Sequence, residues 1–158
     1  MSVASANAAR EDENRELVLE RFAPYRIVAL GHAMSGSLSK TYAGENLTVP
    51  EWRVLAVIAQ AEAVAARDVV KRTPMDKMTV SRAVASLERK GFVARAVSKS
   101  DRRVNALSLS KPGRALFDRV AKLALDYEDE LLAALTDHER AAFERALSIL
   151  EARAKNGG

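Results

Sequence analysis

Apolar positions recur with a helical period through most of the chain. Between Asn14 and Tyr42, the residues Leu17, Phe22, Tyr25, Val28, Leu30, Leu38 and Tyr42 follow one another at loosely helical spacing. Pro24 either kinks this stretch or marks the start of its main helix. Residues 43–46 (AGEN) read as a turn. In the run LTVPEWRVLAVIAQ, Thr48 is placed as N-cap and Pro50 in the first turn, where its missing N–H costs nothing. Glu51 then falls at N3 and completes a capping box. Trp52, Leu55, Val57, Ile58 and Ala59 make this helix apolar and largely buried. A shorter helix is expected over residues 63–72, with Ala66, Val69 and Val70 inward, until Thr73-Pro74-Met75 breaks it. Asp76 caps the next helix, which runs to about Lys90 with Val80, Ala83, Val84 and Leu87 as its inward stripe. Gly91 suits the left-handed position just past its end.

The period then changes from 3.6 to 2. Residues 93–97 and 104–109 favour strand, with Leu107 and Leu109 alternating with Ser108 and Ser110. Between them lies the polar, basic tip SKSDRR. A hairpin directly after two helices joined by a tight turn is the wing of a winged helix-turn-helix. Helical spacing returns after Ser110, which caps a helix with Pro112 in its first turn. That helix is expected to reach Leu135, a length of about 37 Å at 1.5 Å per residue, so its far end outruns a small winged domain and needs another partner. Thr136 and Glu139 form a second capping box and open a final helix carrying Phe143, Ala146, Leu147 and Leu150 on one stripe. The fold class is therefore mainly α with a small β-hairpin wing.

Composition narrows the chemistry. Across 158 residues, 48% are hydrophobic and 29% charged, which suits one folded domain rather than a disordered chain. With no cysteine, disulfide scaffolds, thiol nucleophiles and thiolate metal sites are excluded. His32 and His138 lie far apart and form no ligand-spaced pair, so no metal or other cofactor is expected. No glycine-rich loop follows a strand, there is no G-x-S-x-G elbow, and the neighbours of His32 offer no acidic partner, so no enzyme is expected. Asp126, Glu128, Asp129 and Glu130 read as a solvated helix face. Residues 1–12 read as a frayed tail without the hydrophobic segment of a secretory signal, no stretch is apolar enough to span a membrane, and a cytoplasmic location is expected.

The net charge of +4 conceals a strong division. From Arg67 to Arg114 there are 13 Lys/Arg against 4 Asp/Glu, while the remainder carries 12 against 17. A basic middle between acidic ends suits a polyanion, nucleic acid first and an anionic membrane second. The helix after Asp76 is then the reading helix, with Lys77, Met78, Thr79, Ser81, Arg82 and Ser86 outward. Arg82 is the strongest candidate for a guanine edge, because its fork matches O6 and N7. In the wing tip, Lys99, Arg102 and Arg103 can enter a minor groove or clamp phosphates, and Asp101 can orient an arginine or hold a backbone N–H. Arg72 joins the contact set, with Arg67, Lys71, Arg89 and Arg95 as further phosphate candidates.

These segments resemble the MarR family of bacterial transcriptional regulators over nearly the whole chain. The likeness rests on LTVPEWRVLAVIA, on MDKMTVSRAVASLERKGFV, which meets the family's pattern from Met75 to Gly91, and on Asp101-Arg102-Arg103 in the wing. Pro74 stands where the family more often has glycine, and the family's cysteine-based and zinc-sensing branches have no counterpart here. The resemblance implies a homodimer on palindromic double-stranded DNA, in which terminal helices of two chains interlock through Leu17, Phe22, Leu131, Leu135, Phe143, Leu147 and Leu150. Residues 14–45 and 111–155 would form that dimerisation region around a DNA-binding domain at 46–110. It also implies a repressor released by a small aromatic or phenolic acid, held between Tyr25, His32, Ser35, Trp52, Arg53 and Phe117. Two alternatives stay open: a DNA-binding regulator without a ligand, and a winged-helix module for protein or RNA contact.

Overall fold

The computed structural model describes residues 16–97 and 105–156. The chain divides within its first long helix, between Ser37 and Leu38, into two compact units.

In the first unit a single 3-10 turn at Leu19–Arg21 precedes α1 (Ala23–Thr41). Pro24 therefore sits in the first turn of α1 and begins the helix rather than kinking it. No residue of α1 is buried within the chain, and Leu17, Val28 and Leu30 are among the apolar side chains left open.

The second unit holds the core. α2 (Val49–Ile58) begins at the expected capping box: the Thr48 N–H donates to Glu51 Oε2 at 2.8 Å and the Glu51 N–H donates to Thr48 Oγ1 at 3.3 Å. α3 spans Ala66–Arg72 and α4 spans Lys77–Arg89. β2 (Val93–Val97) and β3 (Asn105–Leu109) pair antiparallel, with Val93 opposite Leu109 and Arg95 opposite Leu107. Residues 64–65 depart from the helix expected over 63–72. They form a short strand, β1 (Val64–Ala65), on the free edge of β3, which makes a three-stranded sheet in the order β1-β3-β2. A two-residue strand has no period to read, and its partner Leu107 lies 43 positions away. Val54, Leu55 and Ile58 of α2 pack with Val69, Val80, Val84, Leu87 and Leu107 in one buried cluster, closed by Leu116 and Val120.

α5 (Lys111–Leu132) starts at Ser110, whose hydroxyl accepts the Gly113 N–H at 3.0 Å and donates to Gly91 O at 2.6 Å. A side chain at Gly113 would collide with Phe92, since an added Cβ would stand 1.9 Å from its carbonyl oxygen. Further along α5, Arg119 forks onto Glu45 at 3.1 and 2.9 Å, and Arg114 donates to Ala59 O at 3.2 Å. α5 stops at Leu132 rather than Leu135, which falls in the turn before α6 (Asp137–Asn156). That turn is set by the second capping box, in which the Thr136 N–H donates to Glu139 at 2.8 Å and the Glu139 N–H donates to Thr136 Oγ1 at 3.3 Å.

Candidate nucleic-acid interface

α4 owes its position to its two ends. At the start, Asp76 accepts the Thr79 N–H at 2.7 Å and the Thr79 hydroxyl at 3.1 Å, and these two bonds hold its carboxyl below the ordinary aspartate range. At the other end, Gly91 takes φ 76°, the Gly91 N–H donates to Glu88 O and the Phe92 N–H donates to Leu87 O, each at 3.0 Å. This double closure is a Schellman motif. Between the ends, Val80, Ala83, Val84 and Leu87 are buried, which turns Lys77, Met78, Ser81, Arg82 and Arg89 outward. The first turn holds Lys77 and no acidic residue. A cation there opposes the helix dipole, yet it reinforces the attraction of exposed N–H groups for a phosphate.

Two members of the expected reading set are already engaged. The Thr79 hydroxyl belongs to the cap. Ser86 is half-buried with its hydroxyl on Glu51, which takes it off the open side of the helix. Arg82 stays exposed, with Nε on Met78 O at 3.4 Å. Among the outlying cations, Arg95 forks onto Glu88 at 3.0 and 3.2 Å, and that bond raises its already high pKa. Arg72 is exposed and donates to the Gln60 side chain. Arg67 and Lys71 are exposed on α3 and, with Lys77, rim an apolar recess of about 430 Å³ floored by Val70, Val80 and Val84. The tip residues Lys99, Asp101, Arg102 and Arg103 lie outside the described residues.

One support went unnoticed in the sequence. Lys90 donates to Glu51 Oε1 and Oε2 at 2.8 and 2.9 Å and to Asn46 O at 2.7 Å. Glu51 was legible only as the partner of Thr48, because Lys90 is 39 residues away. Burial alone would push the Glu51 carboxyl up, but bonds from Lys90, Ser86 and the Thr48 N–H, with the Lys90 charge, outweigh it and hold the group below the usual glutamate value. The end of α4 is thereby tied to the start of α2.

The expected ligand wall falls partly in each unit. In the first, Tyr25 and His32 are exposed and Ser35 is half-buried. In the second, Trp52 packs between Tyr42 and Phe117 with both ring centroids 5.9 Å away, the Phe117 ring nearly parallel, and Arg114 lies 5.7 Å over Phe117. Arg53 is half-buried beside this stack, and its charge opposes the rise that burial imposes on the Tyr42 hydroxyl. Of the expected dimer positions, Leu17, Phe22, Phe143, Leu147 and Leu150 are exposed in the single chain, while Leu131 and Leu135 are half-buried.

Residues 45–104, which hold α2, α3, α4 and β2, match the model described as MarR family. Over that stretch the chain is similar to the MarR family. A MarR-family transcriptional regulator from Silicibacter pomeroyi is 27% identical, with a TM-score of 0.74 over 88% of this chain and 96% of that one. The fold is shared with BpsR of Bordetella bronchiseptica at 22% identity, with a TM-score of 0.77 over 87% and 98% of the two chains. The homoprotocatechuate degradative operon repressor of Escherichia coli is 30% identical over 74 residues, which cover 47% of this chain and half of that repressor. The chain carries the winged helix-turn-helix fold of the MarR-family transcriptional regulators it resembles. Among its described residues, no helix is long and apolar enough to cross a membrane.

Proposed function

We propose that this protein is a homodimeric repressor of the MarR family that reads a two-fold symmetric operator in double-stranded DNA and is released by a small aromatic carboxylate. The observation that carries the reading is the outward ridge of α4, where Met78, Ser81 and Arg82 stand exposed opposite the buried stripe. Arg82 meets a guanine edge, Ser81 a base or phosphate, and Lys77 and Arg72 hold phosphates on either side. Arg102 and Arg103 of the wing clamp the backbone or enter the minor groove, with Asp101 orienting them.

A second copy is needed by the apolar surface. Leu17, Phe22, Phe143, Leu147 and Leu150 are too many large side chains to leave in water along terminal segments. Joining two chains there gives a pair of reading helices, and half-sites about one turn apart. The ligand's place is the wall of Trp52, Arg53 and Phe117, an aromatic surface with a cation suited to a hydrophobic carboxylate. An effector there acts by favouring a separation of the two wings that the operator does not fit. The relatives support this direction: the Escherichia coli protein is named a repressor of homoprotocatechuate degradation, and DNA binding by BpsR is regulated by 6-hydroxynicotinic acid.

The test is selection of genomic fragments by the purified protein, with and without a panel of aromatic acids. Enrichment of a two-fold symmetric sequence that one acid abolishes is the expected result. Enrichment of no sequence would overturn the operator reading, and enrichment indifferent to every acid would remove the ligand from it.

A further inference from the structure

Among the residues from 38 to 109 whose side chains are described, Met78 is the large hydrophobic one left exposed, at 65%. It is the second residue of α4. At about 100° per residue it lies opposite Val80, Val84 and Leu87, at the crest of the outward ridge. Arg82, one turn on, shares that crest and is fastened to it by the bond from its Nε to Met78 O.

A methionine at this place contributes nothing to phosphate binding, since its thioether donates no hydrogen bond. A helix that only needed charge or solubility would carry a polar residue there. What methionine offers is a flexible, polarizable apolar surface. The apolar feature that a base pair presents in the major groove is the 5-methyl group of thymine. Side chains four apart on a helix stand about 5–6 Å from each other, and base pairs are stacked about 3.4 Å apart. The base met by Met78 is therefore one or two steps from the base met by Arg82.

We propose that Met78 is a specificity-determining residue that reads the 5-methyl group of a thymine beside the base contacted by Arg82. This rests on the operator reading of α4 given above and adds a chemical identity to one position of the site.

The experiment separates the two. The full-length protein selects its preferred duplex from a random pool. Each thymine of that duplex is then replaced by deoxyuridine, symmetrically in both half-sites, which deletes the methyl group and leaves every hydrogen-bonding atom. One position is expected at which uracil weakens the wild type by about fourfold per half-site, the worth of burying one methyl-sized group. At that position Met78→Ala binds thymine and uracil equally, and Met78→Leu keeps the preference. A preferred duplex in which no thymine responds, or in which Met78→Ala retains the response, overturns the inference alone. A pool that yields no preferred duplex overturns the operator reading and this inference with it.

Discussion

Lys90 and Glu51 form an ion pair at 2.8 Å across 39 residues of chain, and Glu51 is only 3% exposed. The pair joins the C-terminal end of α4 to the first turn of α2. Each partner has further work, Lys90 on the Asn46 carbonyl and Glu51 on the Thr48 N–H. A buried pair so fully bonded serves geometry more than net stability, because desolvation consumes much of its attraction. Its loss on one side is a different matter. Lys90→Met leaves the Glu51 charge buried without its cation and is expected to cost about 3 kcal/mol, the low end for a broken buried pair since Lys90 keeps some exposure. Urea unfolding of the variant measures it. An unchanged midpoint would mean that water already compensates Glu51.

The same carboxylate sets an acid limit. Its pKa is held below the ordinary value near 4.5 in the folded chain, so it contributes stability above that value and loses the contribution as pH falls through the folded pKa. Glu45, Asp76 and Glu139 are shifted in the same direction by bonds from Arg119, Thr79 and Thr136 respectively. Unfolding free energy should therefore decline with falling pH below about 4.5. In Glu51→Gln the curve should start lower and fall less steeply. Parallel curves for the two proteins would contradict the assignment.

Gly113 is required by contact rather than by conformation. Gly113→Ala forces the first turn of α5 away from the Phe92 carbonyl and is expected to destabilise by about 1–3 kcal/mol or more, as overpacking does. Gly91→Ala is expected to cost about 1–2 kcal/mol for a different reason, the left-handed backbone at φ 76°. Thermal unfolding of both variants checks the two costs. A Gly113→Ala protein as stable as wild type would show that α5 moves freely against β2.

Local devices were legible in the sequence and distant ones were not. Thr48 with Glu51, Asp76 with Thr79, Ser110 with Gly113 and Thr136 with Glu139 all act over three residues, so residue type and spacing reveal them. The buried stripe of α4 and the turn at Gly91 followed from the 3.6 period and from glycine's tolerance of positive φ. Strand β1 escaped because Val64 and Ala65 acquire their conformation from β3. The need for glycine at position 113 escaped because Phe92 is its neighbour only after folding. In the candidate site, the outward direction of Ser81 and Arg82 was readable from periodicity. The loss of Ser86 to Glu51 was not, since that contact joins two helices.

The terminal apolar residues have a direct consequence. Leu147→Asp places a charge on the surface shared with Phe143 and Leu150 and is expected to shift sedimentation from dimer to monomer and to weaken operator binding with it. A variant that stays fully dimeric would move the interface away from α6.

Arg82→Ala on the preferred duplex and on random DNA of equal length, at one salt concentration, tests the central claim most directly. A guanine-reading arginine on the exposed ridge of α4 predicts a loss of about 1–3 kcal/mol on the preferred duplex with little change on random DNA. Equal losses on both would make Arg82 a backbone contact and deny α4 its reading role.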